Sequence, residues 1–132
     1  MTHTRQSKTI LVDAWNTLFT EKGVDHALQT LLETFSHSKI VLTNATDEEQ
    51  KQFGMDSSPY PVFTLAHNPN KSNPIYYKTM LARFNLNTRN VVYFEHNLAA
   101  VESARSVGIT TLQFDKNVRN IAQVEAFLRE NL

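Results

Sequence analysis

The sequence predicts an α/β fold: a three-layer, Rossmann-like domain with a five-stranded parallel sheet and helices on both faces. Two observations predict it. Short apolar or β-branched runs, typical of strands buried on both faces, recur five times along the chain. Each run precedes a helical segment, and this alternation is typical of a parallel sheet with right-handed crossovers. The chain of 132 residues is predicted to form one domain, residues 1–132.

The five predicted strands are short, and polar residues follow most of them. Residues 14–23, after the first strand, are polar and turn-compatible, and we expect them to form a loop. The predicted strands span residues 9–12, 39–43, 62–65, 91–94 and 110–114.

Capping residues and apolar spacing predict the five helices. Thr46 and Glu49 form a capping-box pattern, which predicts a short helix directly after Thr46. Asn73 followed by Pro74 has the form of an N-cap and a first helical position. Gly108 is typical of the residue that follows a helix C-terminus. The predicted helices cover residues 24–35, 47–54, 74–84, 98–107 and about 118–131.

The composition argues against several classes of function. Lys and Arg together number 13, as do Asp and Glu, so the net charge is zero and we expect neither a nucleic-acid nor an anionic-membrane partner. The absence of cysteine excludes disulfides, thiolate metal sites and a cysteine nucleophile. The first residues are polar, and the apolar run that follows is too short for a secretory signal or a membrane span. A cytoplasmic location is therefore expected.

Polar residues that could carry chemistry lie at strand ends or helix starts. The carboxyl ends of strands in an open α/β sheet converge on one edge, where ligands bind. Together these residues would combine a carboxylate nucleophile, hydroxyl and amide donors and an ammonium, as a phosphate or carboxylate site requires. Any one of these residues taken alone is explained more simply, as a helix cap, a turn residue or a solvated side chain. The residues are Asp13, Asn16, Thr17, Thr43, Asn44, Lys71, Glu95 and His96.

The order of these residues resembles the haloacid dehalogenase (HAD) superfamily over about residues 8–115. The first motif of that family is an apolar strand followed by D-x-D-G-T-[LV], and the sequence DAWNTL matches it at Asp13, Thr17 and Leu18. The second motif, an apolar strand that ends in Ser or Thr, is matched by IVLTN, with Thr43 in place.

The resemblance continues in the second half of the chain. The family pattern K-P-x-P-x-x-Y is similar to KSNPIYY, which begins at Lys71, and Glu95 with His96 stands at the spacing of the fourth motif. The resemblance implies a nucleophile at Asp13 and a Mg²⁺ site formed by Asp13, the Trp15 carbonyl and Glu95, with His96 as an auxiliary group. It implies that phosphate is bound by Thr17, Thr43, Asn44 and Lys71.

Three departures from the family pattern affect the implied chemistry. Family phosphatases carry a second Asp two residues after the nucleophile as general acid and base; here that position is Trp15, which predicts a loss of roughly 10²- to 10⁴-fold in rate. The next position, Gly in the family, is Asn16, which tolerates a left-handed backbone. The fourth motif has Glu95 and His96 instead of the family's aspartates, so Mg²⁺ binding is predicted to be weak or absent. His96 is interpreted either as a base or as a loop histidine bonded to the backbone.

The chain offers no room for a cap domain. Haloacid dehalogenases proper have an aromatic residue at the Trp15 position and work without metal, but they enclose a small substrate beneath a helical cap. Only about thirty residues separate Asp13 from Thr43, and a loop and one helix use them all. The resemblance therefore implies a capless member, which would act on a large substrate or assemble with a partner. Tyr60 and Tyr76 are expected at the surface, where they could mark such a contact.

Two functions remain open at this point. The favoured one is a HAD-like protein with impaired or no phosphatase activity, a pseudoenzyme whose pocket still holds an anion such as phosphate. The alternative is an active capless hydrolase that uses Asp13 as nucleophile on a bulky phosphorylated substrate. A protein partner or a phosphorylated substrate is expected in either case. Asp13 and Lys71 could instead form a structural ion pair at the sheet edge.

Overall fold

A computed structural model describes residues 7–132, and a five-stranded parallel sheet lies at its centre. The sheet order is β5-β4-β1-β6-β7, while β2 and β3 form a separate two-stranded hairpin. Residues 1–6, whose polarity entered the prediction of location, lie outside the described residues. The strands are β1 (Thr9–Asp13), β2 (Phe19–Thr20), β3 (Gly23–Val24), β4 (Lys39–Thr43), β5 (Val62–Thr64), β6 (Val91–Glu95) and β7 (Thr110–Gln113).

Five α-helices connect or follow the strands of the sheet, as the alternating pattern predicted. They are α1 (His26–Glu33), α2 (Asp47–Gln52), α3 (Pro74–Arg83), α4 (Leu98–Ser106) and α5 (Ile121–Asn131). The predicted caps are confirmed: Thr46 and Glu49 form a reciprocal capping box on α2, and the Asn73 side chain caps α3 with Pro74 at its start. No helix within residues 7–132 is long and apolar enough to cross a membrane.

Side chains of β1 alternate between two apolar layers. Val12 packs in a cluster with Leu28 of α1 and Leu128 of α5, whereas Leu11 packs on the opposite face with Met80 of α3. Each of these side chains is fully buried or nearly so, and such burial contributes about 1.5–3 kcal/mol per large aliphatic residue. The three-layer arrangement with helices on both faces is therefore confirmed, and no cap domain is inserted between the strands of residues 7–132.

The segment after β1 differs from the predicted loop and helix. Phe19 pairs with Val24 in the antiparallel hairpin of β2 and β3, so Val24 is not helical as predicted. Helix α1 begins only at His26, because the Asp25 side chain accepts a hydrogen bond from the Leu28 backbone N–H and caps the helix there.

Two further expectations require correction. Tyr76 does not lie at the surface: it is fully buried, and its hydroxyl donates to the backbone carbonyls of Thr43 and Phe63. Its position on α3 turns it toward β4 and β5. Helix α5 begins at Ile121 instead of near residue 118, because the Asn120 side chain caps it.

The strand order determines where the polar strand ends meet. Strand β1 is central, and β4 and β6 pair with it in parallel on either side. Their last residues, Thr43 and Glu95, therefore lie on the same edge of the sheet as Asp13. This confirms the expectation that the polar residues at the ends of β1, β4 and β6 converge.

Candidate functional site

A cleft of about 440 Å³ opens at the carboxyl ends of β1, β4 and β6. Of the predicted site residues, Asn16 and Thr17 are the exceptions: neither lines the cleft, and Thr17 is buried with its hydroxyl bonded to Asp13. The structure thus gathers most of the candidate residues around one space. The predicted residues that line the cleft are Asp13, Trp15, Thr43, Asn44, Lys71, Glu95 and His96.

Asp13 ends β1, and protein donors occupy both of its carboxylate oxygens. The Lys71 ammonium donates to Oδ1 at 2.7 Å. The Thr17 hydroxyl donates to Oδ2 at 2.6 Å, and His96 Nδ1 lies 2.5 Å from the same oxygen. The side chain of Asp13 is only 3% exposed, so these contacts replace water almost completely.

Lys71 lies between two carboxylates in the interior. Its Nζ donates to Asp13 Oδ1 and, at 2.8 Å, to Glu95 Oε1. Its backbone N–H donates to the Asn44 side-chain oxygen at 2.7 Å, which ties the loop before α3 to the end of β4. The Asp13–Lys71 ion pair that the sequence suggested is therefore present. Glu95 is a second partner of the same ammonium.

Glu95 ends β6 and is 1% exposed. Its Oε1 accepts hydrogen bonds from the Lys71 ammonium and from the Tyr93 hydroxyl. Its Oε2 accepts from the Asn97 backbone N–H at 3.0 Å and lies 3.3 Å from His96 Nδ1. We call Asp13, Lys71, Glu95 and His96 the buried quartet.

Of the two interpretations of His96, the loop histidine bonded to the backbone is wrong. Its ring nitrogen Nδ1 lies between oxygens of Asp13 and Glu95. Carboxylate oxygens only accept hydrogen bonds, so Nδ1 carries the proton. The other nitrogen, Nε2, has no hydrogen-bond partner within residues 7–132, and the side chain is 18% exposed beside the cleft.

Charges within the quartet shift its pKa values in opposite directions. Burial alone would raise the pKa of Asp13, but the Lys71 ammonium and His96 hold that pKa well below its usual range. Burial would lower the pKa of Lys71, yet the charges of Asp13 and Glu95 raise it well above normal. Burial also opposes protonation of His96, but hydrogen bonds to Asp13 and Glu95 raise its pKa to about 9. At neutral pH two carboxylates therefore face one ammonium and one imidazolium, and the quartet is neutral.

Trp15 and Phe53 form an apolar wall of the cleft. Their ring centroids are 4.6 Å apart with an interplanar angle of 37°. The indole thus stands at the position where the family pattern has its second acid. The next residue, Asn16, has φ of 66°, as its tolerance of a left-handed backbone allowed.

Thr43 and Asn44 each accept one hydrogen bond from the protein through a side-chain oxygen. The Thr43 hydroxyl oxygen accepts from the Ala45 backbone N–H at 3.1 Å, and the Asn44 oxygen accepts from Lys71. The Thr43 hydroxyl proton and the Asn44 amide hydrogens make no hydrogen bond within residues 7–132, which leaves them for a ligand.

The rim of the cleft contains a polar network that sequence reasoning missed. His67 Nε2 lies 2.6 Å from Glu49 Oε1, and His67 Nδ1 lies 2.8 Å from Asn70 Oδ1. These hydrogen bonds raise the pKa of His67. His67 follows β5 closely, so the convergence of strand ends that singled out the other residues could have found it too.

Solved structures show what this architecture is similar to, although no protein-family model and no curated protein matches the chain. An uncharacterized protein from Corynebacterium glutamicum superposes with a TM-score of 0.66 at 10% identity, over 92% of this chain and 95% of that one. A HAD-superfamily hydrolase, subfamily IA, variant 1, from Geobacter sulfurreducens gives 0.63 at 13% identity, over 82% and 89%. The fold is HAD-like.

A further similar structure was solved with its ligands bound. It is the 3-deoxy-D-manno-octulosonate 8-phosphate phosphatase of Moraxella catarrhalis, in complex with magnesium ion, phosphate ion and KDO, with a TM-score of 0.54 at 10% identity over 94% of this chain and 87% of that one. At such identities the likeness is one of fold.

Three side chains of the cleft are close enough to hold a metal ion. The ligand atoms of Asp13, Glu95 and His96 lie within 4.8 Å of one another. In the arrangement described, however, all four carboxylate oxygens already accept hydrogen bonds from protein groups. Mg²⁺ prefers six oxygen ligands and retains water, so an imidazole and two such carboxylates suit it poorly.

Proposed function

We propose that this HAD-like chain is a binding module with impaired or no phosphatase activity, whose cleft holds a phosphorylated ligand, free or carried by a protein partner. The observation that supports the proposal best is the state of Asp13. Both of its oxygens are held by protein donors, while an indole replaces the acid that a HAD phosphatase would need beside it.

The contacts of Asp13 oppose nucleophilic attack on phosphorus. An attacking oxygen needs a lone pair directed at the substrate. Thr17 and His96 occupy both acceptor sites of Oδ2, and the Lys71 ammonium on Oδ1 draws electron density from the oxygen that keeps one. The lowered pKa also makes this carboxylate a weaker base than an ordinary aspartate. Breaking one of these buried contacts to free the oxygen would cost about 1–3 kcal/mol or more.

Proton transfer lacks the carboxyl group that the family pattern places two residues after Asp13. Trp15 cannot exchange a proton near neutral pH, and the loss of such a group lowers rates by roughly 10²- to 10⁴-fold. Glu49, a carboxylate at the rim, is engaged by His67 and by the Thr46 backbone N–H, and these contacts lower its pKa.

The cleft nevertheless suits an anion attached to an apolar group. The Thr43 hydroxyl and the Asn44 amide supply donors, and Trp15 with Phe53 supplies an apolar wall. A volume of about 440 Å³ lies within the range of small-molecule sites. Because the quartet is neutral, hydrogen bonds and apolar contact, not excess positive charge, hold the ligand.

One observation favours the alternative, an active capless hydrolase. Asp13, Thr43 and Lys71 line the same cleft, as a nucleophile and its phosphate-binding partners would. An active hydrolase would consume a phosphate ester, whereas a binding module would leave it intact.

Hydrolysis of p-nitrophenyl phosphate with Mg²⁺ separates the two functions. The wild-type chain should release nitrophenol no faster than Asp13→Asn, and Trp15→Asp tests whether restoring a carboxyl restores turnover. Wild-type turnover that Asp13→Asn abolishes would establish the hydrolase instead.

Binding is measured through Trp15, the one tryptophan of the chain, which lines the cleft. Phenyl phosphate should change the tryptophan fluorescence in a saturable way, and Thr43→Val should weaken binding by about 5- to 10-fold, as expected for one lost hydrogen bond. Thr79→Val, a matched change at an exposed position of α3, should leave binding unchanged. No saturable change with either phenyl phosphate or inorganic phosphate would contradict the binding function.

A further inference from the structure

We infer that His96 takes the place of the divalent cation in this site, so that the chain is built to work without Mg²⁺. The inference rests on the position of one atom. His96 Nδ1 lies 2.5 Å from Asp13 Oδ2 and 3.3 Å from Glu95 Oε2, between the two carboxylates that the resemblance would assign to a metal. The N–H there donates to Asp13 Oδ2, and the imidazolium ring also lies within ion-pair distance of Glu95 Oε2.

The remaining carboxylate oxygens are occupied as well. Lys71 Nζ bridges Asp13 Oδ1 and Glu95 Oε1 at 2.7 and 2.8 Å. The Tyr93 hydroxyl donates to Glu95 Oε1, and the Asn97 backbone N–H donates to Oε2. A metal ion would therefore compete with these donors for the carboxylate oxygens.

Burial and charge oppose an added ion. Asp13 and Glu95 are 2% and 1% exposed, so an ion held between them would have to give up much of the water that Mg²⁺ keeps. The ammonium of Lys71 and the ring of His96 already balance the two carboxylates, so a divalent cation would add uncompensated charge to the interior.

Removal of His96 should therefore open a cation site. His96→Asp deletes the group between the carboxylates and supplies a third carboxylate in its place. Asn97→Asp is the matched control: it adds the same charge one residue along, at a capping position where Asp is equally suitable, and leaves His96 intact.

Direct binding of Mn²⁺, an oxygen-preferring stand-in for Mg²⁺, tests the inference on the full chain. Electron paramagnetic resonance measures the loss of free hydrated Mn²⁺, and Mg²⁺ competition reports the second ion. We expect no stoichiometric binding by the wild type or Asn97→Asp, and Mn²⁺ affinity at least about tenfold higher for His96→Asp.

Two results would overturn the inference: stoichiometric Mn²⁺ binding by the wild type that Mg²⁺ displaces, or a folded His96→Asp chain that binds no more Mn²⁺ than Asn97→Asp does. If His96→Asp fails to fold, His96→Asn replaces it, and that variant should also bind Mn²⁺ more tightly than the wild type. Because metal binding is read without turnover or phosphate, its result is separate from that of the proposed function.

Discussion

Lys71 is the residue on which the buried quartet depends most. It supplies the one ammonium that touches both Asp13 and Glu95, and its side chain is 6% exposed. Two buried carboxylates brought together in this way repel each other unless a cation lies between them. The lysine that the resemblance assigned to phosphate binding thus already has two anionic partners, and its role toward a ligand stays a prediction.

Replacement of this lysine measures how much the buried pairs contribute. Lys71→Met keeps the length and apolar stem of the side chain but removes the charge, and should lower the free energy of unfolding by about 3–5 kcal/mol, as breaking a buried ion pair does. Urea unfolding followed by circular dichroism gives the value. Lys78→Met, on the exposed side of α3, is the control and should change it by less than about 0.5 kcal/mol. Equal effects of the two variants would mean that Lys71 is not a central structural cation.

Among the elements, the turn after β1 is held from the far end of the chain. Arg119, just before α5, donates to the Asp25 carboxylate at 2.8 Å, to the Asn16 carbonyl at 2.8 Å and to the Thr17 carbonyl. These contacts fix the turn that carries Trp15 into the cleft. They link the start of α1 to the loop before α5.

Loss of this arginine should loosen the turn. Arg119→Ala should lower the free energy of unfolding by about 1.5–3 kcal/mol, because charge-assisted hydrogen bonds in a partly buried setting are lost. It should also broaden the emission of Trp15 in the folded state. Lys116→Ala, at an exposed position in the same loop, is the matched control and should leave both readouts unchanged. If the hairpin of β2 and β3 held the turn by itself, Arg119→Ala and Lys116→Ala would have the same free energy of unfolding and the same Trp15 emission.

How far the sequence predicts these elements depends on whether a signal is local. Strands such as β4 and caps such as that of Thr46 were predicted because hydrophobic runs and capping pairs are read within a few residues. The β2 and β3 hairpin was missed because strands of two residues show no periodicity. The predicted start of α1, at Val24, was wrong because the hairpin was missed: Val24 pairs with Phe19 and does not belong to the helix.

For the site, the sequence predicted the positions of the residues and one pairing, that of Asp13 with Lys71, but not the other contacts. Convergence of strand ends placed Asp13, Thr43 and Glu95 around one cleft, and the structure confirms that placement. Which way His96 points, and that Lys71 reaches Glu95 as well as Asp13, depends on side-chain direction after a strand end. Residue spacing does not encode that direction, so the sequence left His96 open between a base and a loop histidine bonded to the backbone.

At the scale of the whole molecule, the quartet makes stability depend on pH. Hydrogen bonds to Asp13 and Glu95 raise the pKa of His96 to about 9 from 6.5. The folded chain therefore holds this proton more tightly than the unfolded chain. The resulting stabilisation is complete below about pH 6.5, shrinks as the unfolded chain loses the proton first, and is gone above about pH 9. Its size is on the order of 3 kcal/mol.

The other groups near His96 do not change this direction. Lys71 stays charged and Asp13 stays ionised across the interval, and burial together with Glu95 raises the pKa of Tyr93 well above it. His67 has a raised pKa and contributes with the same sign, but it is exposed and its share is small. The variant His67→Asn removes the contribution of His67 to the pH dependence of the free energy of unfolding.

The free energy of unfolding, measured by urea between pH 6 and pH 10 with EDTA present, tests the central claim most directly: a neutral buried quartet in which His96 is a cation. The wild type and His67→Asn should both lose stability steadily as the pH rises from about 6.5 to 9, and His96→Asn should show a nearly flat profile. A wild-type stability that stays constant or rises over this interval, or a His96→Asn profile with the wild-type slope, would contradict the claim.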